Sequence, residues 1–173
     1  MTAGYRIGQA LRALVAFSQP IDRALAGEYL SPELLALFDR MRRSEQQHGL
    51  NVLRSVLAQG QTPRDLAVAA LLHDVGKTRY TVRIWQKTIA VVVQTLIPGI
   101  YRRLSQGNPT RLWQRPFVVK AQHPMWSAEM LAVAGASHVA VWLAAHHQDA
   151  AEHGMNHPYV HLLQRLQQAD DAN

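Results

Sequence analysis

Seven apolar residues in a row, Leu66-Ala67-Val68-Ala69-Ala70-Leu71-Leu72, pass directly into His73-Asp74-Val75-Gly76-Lys77. This junction constrains the fold more than any other part of the chain. A run without one polar side chain belongs in the interior, and it carries an imidazole and a carboxylate in with it. An unpaired buried carboxylate is strongly disfavoured, so Asp74 needs a metal ion or a basic side chain beside it.

The remaining sequence offers further ligands in order: His48 upstream, then His123, His146-His147 and Asp170. Cysteine is absent, which excludes both a disulfide framework and a thiolate metal site. Any metal must therefore use imidazole and carboxylate, a donor set suited to Fe, Mn, Zn or Co. Two divalent ions close together need roughly six to eight protein ligands and a carboxylate that can bridge them. Asp74 suits the bridge, and His48, His73, His123, His146, His147 and Asp170 complete the expected set. Each has a plainer alternative. His146 and His147 could sit at a helix end against its dipole, and Asp170 in a fraying terminus. Those alternatives would all have to hold at once. His138, His153, His157 and His161 are read as ordinary hydrogen-bonded histidines.

Punctuation predicts helices throughout, and the expected class is all-α. Ser31-Pro32-Glu33 reads as an N-cap, a first-turn proline and an acid. A second helix carries His48, Val52, Val56 and Leu57 and stops near Gly60. Thr62-Pro63-Arg64-Asp65 repeats the start signal, with Asp65 where a capping-box acid would sit, and Val75-Gly76 reads as the C-cap. His123-Pro124 is expected to open a helix closed by Gly135. A short helix follows from Ser137, and His157-Pro158 is expected to open the last. There, Leu163 and Leu166 lie seven and four residues before Asp170, which aims Asp170 inward and turns Asp171 aside. Val91-Val92-Val93 is too short to count as a strand. We expect one domain over 1–173, with N-terminal helices in 1–43 and a helical insertion at 78–120.

The apolar stretch 84–101 inside that insertion is too short, and too interrupted by Gln94 and Pro98, to span a bilayer. It could lie on a membrane surface, cover the site as a lid or form a dimer contact; a core helical hairpin is the preferred expectation. The net charge of +6 is spread along the chain. It fits either a solvated face or attraction of an anionic substrate. No dense basic block interleaved with aromatics signals nucleic-acid binding. The N-terminus, with Arg6 and Arg12, shows no secretion signal, so a cytoplasmic protein is expected.

The order of His48, His73-Asp74 and Asp170 resembles the HD-domain superfamily of metal-dependent phosphohydrolases, over about Ser44 to Asp171. That resemblance implies a helical bundle around the metals. His123-Pro124 and His146-His147 look like the subset with two or more metals, which includes HD-GYP cyclic-di-GMP phosphodiesterases and diadenosine tetraphosphate hydrolases. The chain departs from HD-GYP proteins in having Gln148 after the paired histidines, and no tyrosine before the proline in His153-Gly154-Met155-Asn156-His157-Pro158. The implied activity is hydrolysis of a small phosphorylated substrate, a nucleotide or related phosphoester, by a metal-activated hydroxide oriented by Asp74. Lys77 would stabilise charge on the phosphoryl oxygens, with Arg79 and Arg83 as weaker phosphate contacts. The competing expectation is a non-catalytic HD-fold regulatory or interaction module that docks through 84–101.

Overall fold

A computed structural model describes residues 20–149 and 157–173. His153, most of the 153–158 segment and the first 19 residues, with Arg6 and Arg12, lie outside the described residues. Among the described residues the chain is all-helical, with no strand. The elements are α1 (Arg23–Tyr29), α2 (Pro32–Arg40), α3 (Arg43–Ala58), α4 (Arg64–Leu72), a 3₁₀ turn (Val75–Arg79), α5 (Ile84–Leu96), α6 (Pro98–Ser105), α7 (Arg115–Val133), α8 (His138–His146) and α9 (Val160–Asp171).

Helix α4 is the centre of the bundle. All of Leu66 to Leu72 is buried, so beyond Arg64 and Asp65 α4 has no solvent face and must be covered on every side. α1, α2, α3, α8 and α9 supply that cover. Their contributions follow helical spacing: Leu34, Leu37 and Phe38 from α2, Leu53 and Val56 from α3, Leu163 and Leu166 from α9. Several ends match the sequence signals. Ser31 Oγ accepts from the Leu34 N–H at 3.4 Å, and Ser137 Oγ from the Ala140 N–H at 3.1 Å. Gly60 and Gly135, just past α3 and α7, have φ of +115° and +78°, the left-handed region that favours glycine.

Other ends differ from expectation for identifiable reasons. Asp65 closes no capping box; it accepts a hydrogen bond from Ser137 Oγ at 2.6 Å and so ties α4 to α8. Val75-Gly76 is not a C-cap, because α4 stops at Leu72 and the chain continues into the 3₁₀ turn. Gly76 is glycine because that turn presses against α7. A Cβ there would stand 2.3 Å from the His123 carbonyl oxygen and 2.7 Å from the Ser127 nitrogen. Its own N–H donates to Ser127 Oγ at 2.8 Å. His123-Pro124 opens no helix either: both lie within α7, which starts at Arg115 with Pro116 in its first turn. α9 begins at Val160, slightly after His157-Pro158.

The expected core hairpin at 84–101 is the largest correction. Among its described side chains α5 buries only a narrow strip, Gln86 and Ala90, while Trp85, Ile89, Val92, Leu96, Ile97 and Ile100 are all exposed. The helix is apolar on more sides than the bundle covers. No described helix is long and apolar enough to cross a membrane.

Gly76→Ala is expected to cost about 3 kcal/mol or more, since backbone must move to admit the methyl group. Gly99→Ala, in α6 with open space around it, should be neutral or stabilising by up to about 1 kcal/mol. Thermal denaturation of the two variants checks this; equal effects would contradict the packing described.

Candidate metal centre

The end of α4 delivers His73 and Asp74 to a point where α3, α7, α8 and α9 converge. Two close helix approaches make that convergence possible. One is at Gly76; the other is at Gly49, where a Cβ would lie 2.7 Å from the Leu71 carbonyl oxygen, so α3 can lie tightly on α4. This puts the His48 ring 5.3 Å from the His73 ring, centroid to centroid. His147 follows at 4.9 Å from His73 and 5.2 Å from His123.

Three imidazoles here share one arrangement. His73 Nδ1 lies 3.1 Å from the Ala70 carbonyl, His147 Nδ1 2.8 Å from the Ala144 carbonyl, and His123 Nδ1 3.0 Å from those of Val119 and Lys120. A carbonyl can only accept, so each Nδ1 carries the proton and each Nε2 presents a lone pair. Pro124 contributes: it has no N–H to give the Lys120 carbonyl, which is left free for His123. All three Nε2 atoms are buried without a hydrogen bond. They point at Asp74, with Nε2 to carboxylate distances of 3.2 Å for His123, 3.7 Å for His73 and 3.9 Å for His147.

Buried polar atoms are normally satisfied, so three Nε2 atoms without a hydrogen bond around one carboxylate fit the ligand set of a bound cation. Two ligand groups of this kind share Asp74: His48, His73 and Asp74, and then Asp74, His123 and His147. Asp170 joins the first, 2.8 Å from His48 Nε2 and 3.5 Å from His73 Nε2. The α9 phase aims it as expected, while Asp171 is exposed.

Electrostatics couple these groups to one another. Burial works against ionised Asp74, yet His73 and Lys77 hold its carboxyl well below the usual range. Burial likewise opposes Asp170, which His48 and His73 nevertheless pull far down. Burial would depress His73, but the Asp74 and Asp170 carboxylates carry it above its ordinary value. His147 is driven down to about 3 by burial and by His73 beside it.

Some expected residues are not brought to the cluster. His146 is turned out of it: its Nδ1 sits 2.6 Å from Asp149 Oδ2 and its ring 4.6 Å from Trp142. Neighbours on a helix differ by about 100°, so only one of the pair can face inward. Arg79 is engaged by Glu129 at 2.8 Å and by the Trp126 ring, and Arg83 is exposed at the start of α5. Lys77 does reach the site, paired with Asp74. His138 bonds the Tyr159 hydroxyl at 2.6 Å and His157 stacks on Trp142 at 3.9 Å, as ordinary histidines would. His161 is exposed on α9.

Beside the cluster lies a cavity of about 170 Å³, partly open to solvent, with His123 and Lys77 in its wall. Arg42, Lys87 and Lys120 also line it, opposed by Glu45 alone. Sequence reading missed Lys120, which is half-buried with no carboxylate partner among the described residues. The signal was its position three residues before His123, on the same side of a helix. That spacing means nothing if His123 is taken to start the helix.

A family model described as HD domain matches residues 46–171. The chain belongs to the HD-domain family. The match runs from just before His48 to just after Asp170 and so encloses every residue of the cluster. No curated protein and no solved structure matches the chain significantly. The HD family is typified by metal-dependent phosphohydrolases, and the donors found here suit a divalent metal.

Protonation of His147 has a defined sign in the metal-free fold. The unfolded chain protonates this imidazole near 6.5, the folded chain only near 3, so His147 costs stability as the pH falls between those values. His147→Gln should therefore flatten the acid side of the stability profile, by up to about 1.4 kcal/mol per pH unit. Denaturant unfolding with a chelator present measures it. Parallel profiles for the two proteins would contradict the burial and neutrality of His147.

Proposed function

We propose that this HD protein hydrolyses a nucleotide or related small phosphoester, using two divalent transition-metal ions held by His48, His73, Asp74, His123, His147 and Asp170. The observation that carries the reading is the set of three orphaned Nε2 lone pairs around buried Asp74, next to a cation-lined cavity. Divalent Fe, Mn, Zn or Co at these ligands supplies Lewis acidity toward a phosphoryl oxygen and a bound water acidic enough to ionise near neutral pH.

The protein's own groups divide the remaining work. Asp74 offers one oxygen toward His73 and the other toward His123 and His147, which lets a single carboxylate serve both ligand groups. Lys77 and Lys120 line the cavity together with His123 and give the phosphoryl oxygens positive partners. Tyr80, Val82, Ala90 and Val119 form an apolar wall for the organic part of the substrate. Such a site, a few charged groups converging on a partly open apolar pocket, suits a small phosphorylated molecule whose organic part extends toward solvent.

Asp74→Ala should abolish both metal loading and hydrolysis of phosphoesters. Lys120→Ala should keep its metal and lose roughly tenfold in kcat/KM, the worth of one charge-assisted contact to phosphate. Metal analysis and steady-state assays on the same preparations read both. Full turnover in Asp74→Ala would rule out the mechanism.

A further inference from the structure

The exposed apolar face of α5 has a regular geometry. Trp85, Ile89, Val92 and Leu96 fall at intervals of four, three and four residues, which places them within about 60° of arc on one side of the helix. All are at least 44 % exposed, and Leu96 reaches 72 %. Ile97 and Ile100 extend the surface into α6, at 48 % and 49 %. The loop carrying exposed Leu112 and Trp113 is tied alongside, where Gln86 Nε2 donates to the Leu112 carbonyl. An apolar surface this continuous marks an interaction site.

Charge identifies the occupant. Half of the chain's 18 Lys and Arg, and none of its 12 Asp and Glu, fall between residues 75 and 128. Four of these cations border the apolar residues: Arg83 before Trp85, Arg102 and Arg103 after Ile100, and Arg111 before Leu112. All four are exposed and none has a carboxylate partner among the described residues. A second copy of this chain would bring a like-charged rim against its own. An anionic lipid surface complements both parts, taking the cations at its headgroups and the tryptophan and aliphatic side chains at the acyl boundary.

We infer that α5 and α6 dock this protein on an anionic membrane surface, lying in the interface rather than crossing it. The lipid-facing stripe and the cavity are two sides of one helix, since Lys87, Ala90 and Val91 of α5 line the cavity. Docking therefore sets the mouth of the metal site close to the bilayer. The docking stands independently of what the metal centre hydrolyses.

Cosedimentation of the full chain with vesicles tests it, comparing phosphatidylcholine mixed with phosphatidylglycerol against phosphatidylcholine alone. The protein should sediment with the anionic vesicles, far less with the neutral ones, and be released by salt. Arg102→Gln with Arg103→Gln should weaken partitioning roughly thirtyfold, from the loss of two surface-bound charges. Ile89→Gln with Leu96→Gln should weaken it by more than about tenfold. Val133→Gln, at an apolar residue 92 % exposed on α7, should change nothing. Circular dichroism confirms that the variants fold. Failure to bind anionic vesicles at low salt would overturn the inference, as would binding indifferent to both double variants. A dimer that Ile89→Gln with Leu96→Gln dissociates, in a protein that binds no vesicle, would assign the face to a second copy instead.

Discussion

Everything around the site follows from one constraint: the Asp74 carboxylate is ionised and only 4 % exposed. The chain cannot avoid burying it, because Asp74 lies two residues beyond a stretch of helix with no solvent face. A charge in that position demands compensation. Lys77, three residues away, and His73 supply part of it, but the Nε2 atoms of His73, His123 and His147 stand around the carboxylate without a hydrogen bond. Their Nδ1 atoms are already committed to backbone carbonyls, so the imidazoles cannot turn to donate a hydrogen bond without losing one. A bound cation resolves this conflict by taking the Nε2 atoms and the carboxylate together as ligands.

The scaffold sets the spacing of the cluster through small residues and missing donors. Gly49 lets α3 approach the backbone of α4, and Gly76 lets the 3₁₀ turn approach α7. Pro124 leaves the Lys120 carbonyl free within a regular helix. None of these residues has a side chain that could itself ligate a metal. Each decides where a histidine stands or which nitrogen it presents, which is how outer contacts govern a metal site.

Much of this was legible in the sequence. The apolar run fixed the depth of His73-Asp74, and the phase of Leu163 and Leu166 aimed Asp170. What could not be read had definite causes. Proline usually starts a helix, so His123-Pro124 suggested a boundary, and only tertiary packing puts it mid-helix. Gly76 was read by its local role as a terminator, although its reason is a contact with a segment some fifty residues away. The choice between His146 and His147 was hidden because α8 is apolar on nearly every side and shows no preferred face. The 84–101 stretch was misjudged because apolar composition cannot tell a core helix from one that keeps its apolar side for something else. The HD resemblance, drawn from the order of a few residues, holds over most of the chain.

The most direct test of the centre is the metal content of the chain purified without chelator, determined by elemental analysis. About two transition-metal ions per chain are expected, one for each ligand group sharing Asp74. A well-folded protein that carries no metal, and takes up none when Mn, Fe, Zn or Co is added, would contradict the metal centre and leave its three unpaired nitrogens unexplained.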